Sequence, residues 1–256
     1  PNLIGPSQAE RPACMTWLLL LLCAVCSASE LQTEKSKILA VGAANSWINW
    51  TEVEASSKRR HPWSVVDLNL TEFGPLMLRG GFQMALDQYA DDLEAALTVH
   101  RPDALLFASK GLNLLTHLVE TRRWTGPSVL LSPIPNSCDH IAAASQTWEE
   151  QWLDSMSILR RHKITPIVIG VGSSSDEQML ILDMMEEAGI CGRLVRREFA
   201  TSTGAWFQDC PGWEIYIFPG DHGWKQDPTN SMHVAFLLDR VFRLREASVQ
   251  RASAER

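Results

Sequence analysis

From Lys37 onward the sequence alternates short, uninterrupted apolar runs with longer stretches of helical period, and few folds can accept that alternation. The runs are Ile38 to Gly42, Ser64 to Leu70, Ala104 to Ala108, Ser128 to Ser132, Ile167 to Val171 and Glu214 to Phe218. Most are apolar at successive positions rather than every second one, as expected of strands covered on both faces. Strands of this kind separated by helices predict an α/β fold: a mostly parallel sheet flanked by helices on both faces.

The stretches between the runs support that reading. Phe82, Leu86, Tyr89, Leu93 and Leu97 recur at spacings of three and four, while Asp87, Asp91, Asp92 and Glu94 fill the opposite side, which makes an amphipathic helix with a solvated acidic face. Leu112, Leu115, Leu118 and Val119 mark a second helix directly after the third strand. Thr147 and Glu150 form a capping box for a third, with Trp148, Trp152, Met156 and Leu159 on one stripe. A fourth is expected from Asp176 to Glu187, ended by Gly189, and a fifth from Ser231 to Arg245. No linker, repeat or low-complexity segment divides the chain, so residues 37–245 form one domain and 246–256 a polar tail expected to fray.

The formal charge of −7 and the short basic clusters Lys58-Arg59-Arg60 and Arg122-Arg123 leave no footprint for nucleic acid. Near the start, Met15 is followed by Thr16-Trp17, the apolar run Leu18 to Val25 and the small residues Cys26-Ser27-Ala28. The run is shorter than the ~20 residues a bilayer span requires, so residues 1–28 read as a leader with a signal peptide and no stable membrane span is expected. Passage through the secretory pathway, or secretion, follows; the alternative is a membrane anchor made by the same run. Two N-glycosylation sequons, Asn49-Trp50-Thr51 and Asn69-Leu70-Thr71, are in keeping with it. Past the leader, Cys138, Cys191 and Cys210 remain. At most one internal disulfide is then possible, and Cys191 with Cys210 is the expected pair because they share a loop-rich stretch. Their spacing suits no zinc site.

Parallel α/β sheets bind ligands at the carboxyl ends of their strands. The third strand ends on Phe107-Ala108-Ser109-Lys110-Gly111 and passes straight into a helix. The fifth ends on Gly170-Val171-Gly172, followed by Ser173-Ser174-Ser175-Asp176-Glu177, and the sixth on Phe218-Pro219-Gly220-Asp221-His222-Gly223-Trp224. Serine, acid and histidine in that order resemble the α/β-hydrolase family, whose serine sits on a sharp strand-to-helix turn. The resemblance extends from about Ile38 to Phe242.

It implies an α/β-hydrolase fold without a large cap domain, since Pro133 to Thr147 is too short for one. It further implies a serine hydrolase that cleaves a small-molecule ester or thioester through an acyl-enzyme, with no cofactor and no metal. Ser109 would be the nucleophile, His222 its base and Asp176 the carboxylate that orients the imidazole, with Glu177 as a substitute. The backbone amides of Lys110 and of Ala43 or Ala44 would hold the oxyanion. An acyltransferase would use the same triad.

The family motif has glycine two residues before and two after the serine, and here Phe107 replaces the first while Gly111 keeps the second. Either the elbow rearranges, or Ser109 is poorly presented and the chain is a catalytically inactive binding protein of this fold. Each residue also has an ordinary structural use. Ser109 can be a helix N-cap, Asp176 can sit in the first turn of a helix capped by Ser174 and Glu177, and His222 can be a surface turn residue.

Overall fold

A computed structural model describes residues 35–42, 48–57, 63–69, 82–134, 148–174, 183–190, 193–198, 202–207, 210–220 and 228–254. Residues 1–28, expected to be a leader and including the Leu18 to Val25 run, lie outside these residues. Among them no helix is long and apolar enough to cross a membrane.

Eight strands form one sheet: β1 (Ser36–Gly42), β2 (Trp63–Asn69), β3 (Ala104–Ala108), β4 (Ser128–Leu131), β5 (Ile167–Gly172), β6 (Leu194–Glu198), β7 (Thr203–Phe207) and β8 (Trp213–Phe218). Their spatial order is β2-β1-β3-β4-β5-β8-β7-β6. Every pairing from β2 across to β8 is parallel, and β7 and β6 extend the sheet as an antiparallel edge. All six expected strands are present. The hairpin of β6 and β7 was not expected; it lies in the stretch read as loop between Cys191 and Cys210. Cys210 is buried and disulfide-bonded, while Cys191 lies outside the described residues.

Helices cover both faces, and the two-residue period of the strands sorts the core between them. Leu39, Val41, Leu105, Phe107, Leu130, Ile169 and Val171 face one layer, made by α2 (Phe82–His100), α3 (Gly111–Glu120) and α4 (Trp148–Arg161). Ile38, Ala40, Leu106, Val129, Leu131 and Val168 face the other, made by α1 (Trp50–Ser56) and α5 (Pro228–Ala254). Burial on both faces is why these strands are apolar at every position, at about 1.5–3 kcal/mol for each large side chain removed from water. A further helical turn, 183–187, ends at Gly189, whose φ of 64° is the left-handed stop expected of a glycine there.

Helix α5 is held along its length by polar contacts as well as by its apolar stripe. Asp239 is buried and its Oδ1 accepts from Ser57 Oγ (2.7 Å) and Trp63 Nε1 (2.9 Å), which joins α5 to the end of α1 and the start of β2. Arg240 donates from Nε (2.5 Å) and Nη2 (2.6 Å) to the Glu214 carboxylate of β8, and the Tyr216 hydroxyl donates to the same carboxylate (2.8 Å). Burial, and then the adjacent Glu214 charge, push the Tyr216 phenol well above its ordinary pKa, so it remains a donor at neutral pH. The residues after Arg245, expected as a frayed tail, continue the helix to Ala254. Once a helix is nucleated, adding turns costs little.

Candidate functional site

The strand order changes direction between β1 and β3. From β1 the chain moves outward to β2, then returns to lay β3 on the other side of β1. At such a switch point the loops leaving the carboxyl ends of two adjacent strands diverge and leave a crevice. The loop after β1 contains Ala43 and Ala44, which lie outside the described residues. The loop after β3 begins with Ser109.

Ser109 has φ of 52°. For an L-residue other than glycine this left-handed conformation costs about 1–2 kcal/mol, and it is a frequent mark of functional sites. The surroundings hold it. The Ser109 N–H continues the sheet ladder to the Leu131 carbonyl (2.8 Å), while its own carbonyl accepts from Leu112 N (3.3 Å) and Ile134 N (3.2 Å). The strand thus ends, turns and becomes helix within two residues, with Lys110 at the helical N-cap position and no side-chain cap bond there. An ordinary capping serine has extended backbone and sends its oxygen to the amides of the first turn. The backbone of Ser109 is not extended, which separates it from that role.

Gly111 and Phe107 show how the turn closes without the first family glycine. A Cβ added at Gly111 would lie 3.0 Å from Phe107 Cβ, 3.3 Å from Phe107 Cδ1 and 3.5 Å from the Val41 carbonyl. The two flanking positions therefore approach closely, and one glycine satisfies that approach. The Phe107 ring is fully buried in the core beneath α2, α3 and α4, with Leu39, Val41, Leu112 and Leu130, and so points into the sheet–helix layer.

The neighbouring strand ends continue the pattern. Ala108 pairs with Leu131, so Ser109 and Ser132 are the next residues on adjacent strands. Ser132 is buried and also left-handed, with φ of 41°, and its N–H donates to the Gly170 carbonyl at 2.7 Å. The sequence reading did not single it out; the only signal was a serine between a strand and Pro133. Beyond β5, Ser173 N and Ser174 N donate to the carbonyls of Phe218 and Gly220, both at 2.8 Å. The chains leaving β5 and β8 are therefore fastened together two residues before Asp176 and two before His222. Asp176, Glu177, Asp221, His222 and Trp224 themselves lie outside the described residues.

No family model and no curated protein matches the sequence. Among solved structures, an uncharacterized protein from Bacillus cereus ATCC 10987 aligns at 9% identity and a TM-score of 0.46, over 89% of this chain and 68% of that one. The RedJ thioesterase of the prodiginine biosynthetic pathway in Streptomyces coelicolor aligns at 14% identity and a TM-score of 0.43, over 92% of this chain and 97% of its own. RedJ with a PEG molecule bound in its active site gives 14% identity, a TM-score of 0.41 and coverages of 92% and 95%.

Proposed function

We propose that the chain is a serine hydrolase acting on a carboxylic ester or thioester, with Ser109 as nucleophile, His222 as base and Asp176 as the orienting acid. The observation that carries the proposal is the left-handed backbone of Ser109 at an abrupt turn from a buried parallel strand into a helix, beside the switch point of the sheet. Such a turn lifts a hydroxyl clear of the strand end, where a base and a substrate carbonyl can approach it.

In the proposed reaction His222 takes the Ser109 hydroxyl proton as Oγ attacks the carbonyl carbon. The imidazolium then returns that proton to the departing alcohol or thiol, and the acyl group remains on Ser109. Water, deprotonated by His222, releases the carboxylic acid and restores the hydroxyl. The oxyanion of each tetrahedral intermediate would be held by the Lys110 amide and by an amide of Ala43 or Ala44. An acyltransferase differs only in that another hydroxyl or amine replaces water.

The sheet geometry sets a distance this scheme must cover. Ser109 and the end of β8 are separated by β4 and β5, three steps of the sheet or about 14 Å. Two residues of extended chain from Gly220 to His222 cover about 7 Å, and an imidazole, a serine side chain and a hydrogen bond bridge the remainder. The scheme thus requires the loop after β8 to fold back over β5 and β4. The bonds of Ser173 and Ser174 to Phe218 and Gly220 start the two loops together, which favours it.

The inactive reading drew its force from Phe107. The phenyl ring packed in the core, with Gly111 accommodating its Cβ, favours the active reading.

A fluorophosphonate probe tests the proposal directly. We expect the folded chain to be labelled on Ser109, and Ser109→Ala to lose both label and ester turnover, the latter by at least about 10³-fold. A wild-type chain with a cooperative melting transition and no label would sink the proposal.

A further inference from the structure

Where β3 and β4 leave the sheet, their ladder of hydrogen bonds departs from the regular pattern. Ala108 pairs with Leu131, so Ser109 lies opposite Ser132. In a parallel ladder a residue donates to the carbonyl one before its partner and accepts from the amide one after it. Leu105, opposite Ser128, donates in this way to the Pro127 carbonyl (3.0 Å), and Ser109 donates to the Leu131 carbonyl (2.8 Å). The same rule assigns the Ser109 carbonyl to the amide of residue 133. That residue is proline, which has no N–H.

The bond is made instead by Ile134, whose N–H reaches the Ser109 carbonyl at 3.2 Å. Successive amides along a strand point to opposite edges, and the Ser132 N–H points to β5, where it meets the Gly170 carbonyl at 2.7 Å. In an extended continuation of β4 the Ile134 N–H would point to β5 as well, away from Ser109. What turns it round is the backbone of Ser132, with φ of 41°. This backbone is strained twice over, because a side chain disfavours left-handed φ and a residue before proline favours an extended one. Ser132 and Pro133 are both buried, so the turn is shut into the fold.

The two left-handed serines are thus joined in both directions. Ser109 donates to the residue before Ser132, and the turn at Ser132 returns a donor to Ser109. The direction of a carbonyl is set by its own residue's backbone, so the Ile134 and Leu112 amides (3.2 and 3.3 Å) together fix how Ser109 is rotated.

We propose that Ser132 is a positioning residue for Ser109 and that it acts through its backbone. Pro133 withholds the ladder bond that would keep Ser109 in the strand. The left-handed turn at Ser132 supplies the Ile134 amide in its place, and that amide holds Ser109 in the rotated form that the proposed hydrolysis requires. The proposal rests on Ser109 being the nucleophile. Strain at Ser132 then serves the same reaction as strain at Ser109.

Saturation kinetics of fluorophosphonate labelling on the full chain, well below its melting transition, test the proposal. Ser132→Val puts a β-branched residue where positive φ is a clear outlier, and should lower the maximal labelling rate at least about tenfold while the half-saturating probe concentration holds. Ser132→Gly adopts the turn without strain and should restore labelling to within about threefold of wild type. Pro133→Ala returns an amide to the ladder position and should slow labelling at least about threefold in a chain that still melts cooperatively. A role confined to stability would leave the maximal rate per folded molecule unchanged in all three. If Ser132→Val does not fold, Pro133→Ala decides. The proposal is overturned if either of these two variants labels as fast as wild type, or if Ser132→Gly labels as slowly as Pro133→Ala. A folded wild-type chain with no label on Ser109 is a separate failure, which removes the nucleophile and this proposal with it.

Discussion

The carboxyl ends of the parallel strands and their amino ends both hold non-glycine residues in left-handed backbone, but of different kinds and for different reasons. At the carboxyl ends these are Ser109 and Ser132, at the exits of β3 and β4; at the amino ends they are Arg101, Arg122 and Lys163, just past α2, α3 and α4. A helix stop calls for a residue with φ above zero, and glycine supplies it with less strain than arginine or lysine. The exit from a parallel strand has no such general need, since the chain can enter a helix through an extended residue. A left-handed residue at a helix stop is therefore a common structural device carried here by unusual side chains. At Ser109 the left-handed turn is itself the unusual feature, and it concerns the proposed nucleophile.

The largest effect that could break this contrast lies at Phe107. If the elbow were obstructed by its ring, Phe107→Gly would gain fluorophosphonate labelling. With the ring buried in the core, the substitution should instead remove about 3–5 kcal/mol of stability by leaving a cavity, and about 1 kcal/mol more through glycine in a strand. Chemical denaturation together with the labelling rate would measure both. A gain of labelling in a chain that keeps its stability would show the ring to be an obstacle after all.

Gly111 is the complementary position and should give the next largest effect. Gly111→Ala forces a Cβ to within 3.0 Å of Phe107 Cβ, both atoms being fixed close to backbone, so strand and helix must move apart. We expect about 1–3 kcal/mol of destabilisation and slower labelling of Ser109, whose carbonyl and amide are both anchored in the same turn. Equal stability and equal labelling would mean that the turn is more yielding than its geometry indicates.

How much of this was legible in the sequence follows from the same packing. The inner parallel strands could be read because both of their faces are buried, which leaves continuous apolar runs, whereas β2, at the other edge, is only half-buried and carries an exposed Asp67. Strand β6 could not: at the sheet edge it mixes Leu194 and Val195 with Arg196, Arg197 and Glu198 and has the composition of a loop. Helix α1, at seven residues, is too short for a periodic pattern and is set by the Asn49 cap, whose side chain accepts from Glu52 N (3.4 Å), and by its contact with α5. Ser109 was found from the order of polar residues at strand ends, but its strained backbone has no sequence signature of its own. Phe107 left two readings open because a motif records which side chain is present and not which face it takes. The alternation along β3 assigns residue 107 to the face of Leu105, and that assignment was available from the two-residue period.

The smallest expected effect separates the two ends most cleanly. Lys163→Gly and Ser109→Gly each replace a left-handed residue with the one amino acid that adopts this backbone freely, and each should gain about 1 kcal/mol in the folded state, less part of that to the greater entropy of the unfolded chain. A rise of a few degrees in melting temperature is the common readout. The two variants should differ in chemistry: Lys163→Gly keeps the wild-type rate of fluorophosphonate labelling, and Ser109→Gly has none. If Ser109→Gly were instead less stable than wild type, the serine side chain would be contributing more to the fold than its backbone strain costs, and the turn would be structural first. If both gain stability and only one loses labelling, the strain at the carboxyl end is maintained for the hydroxyl it presents.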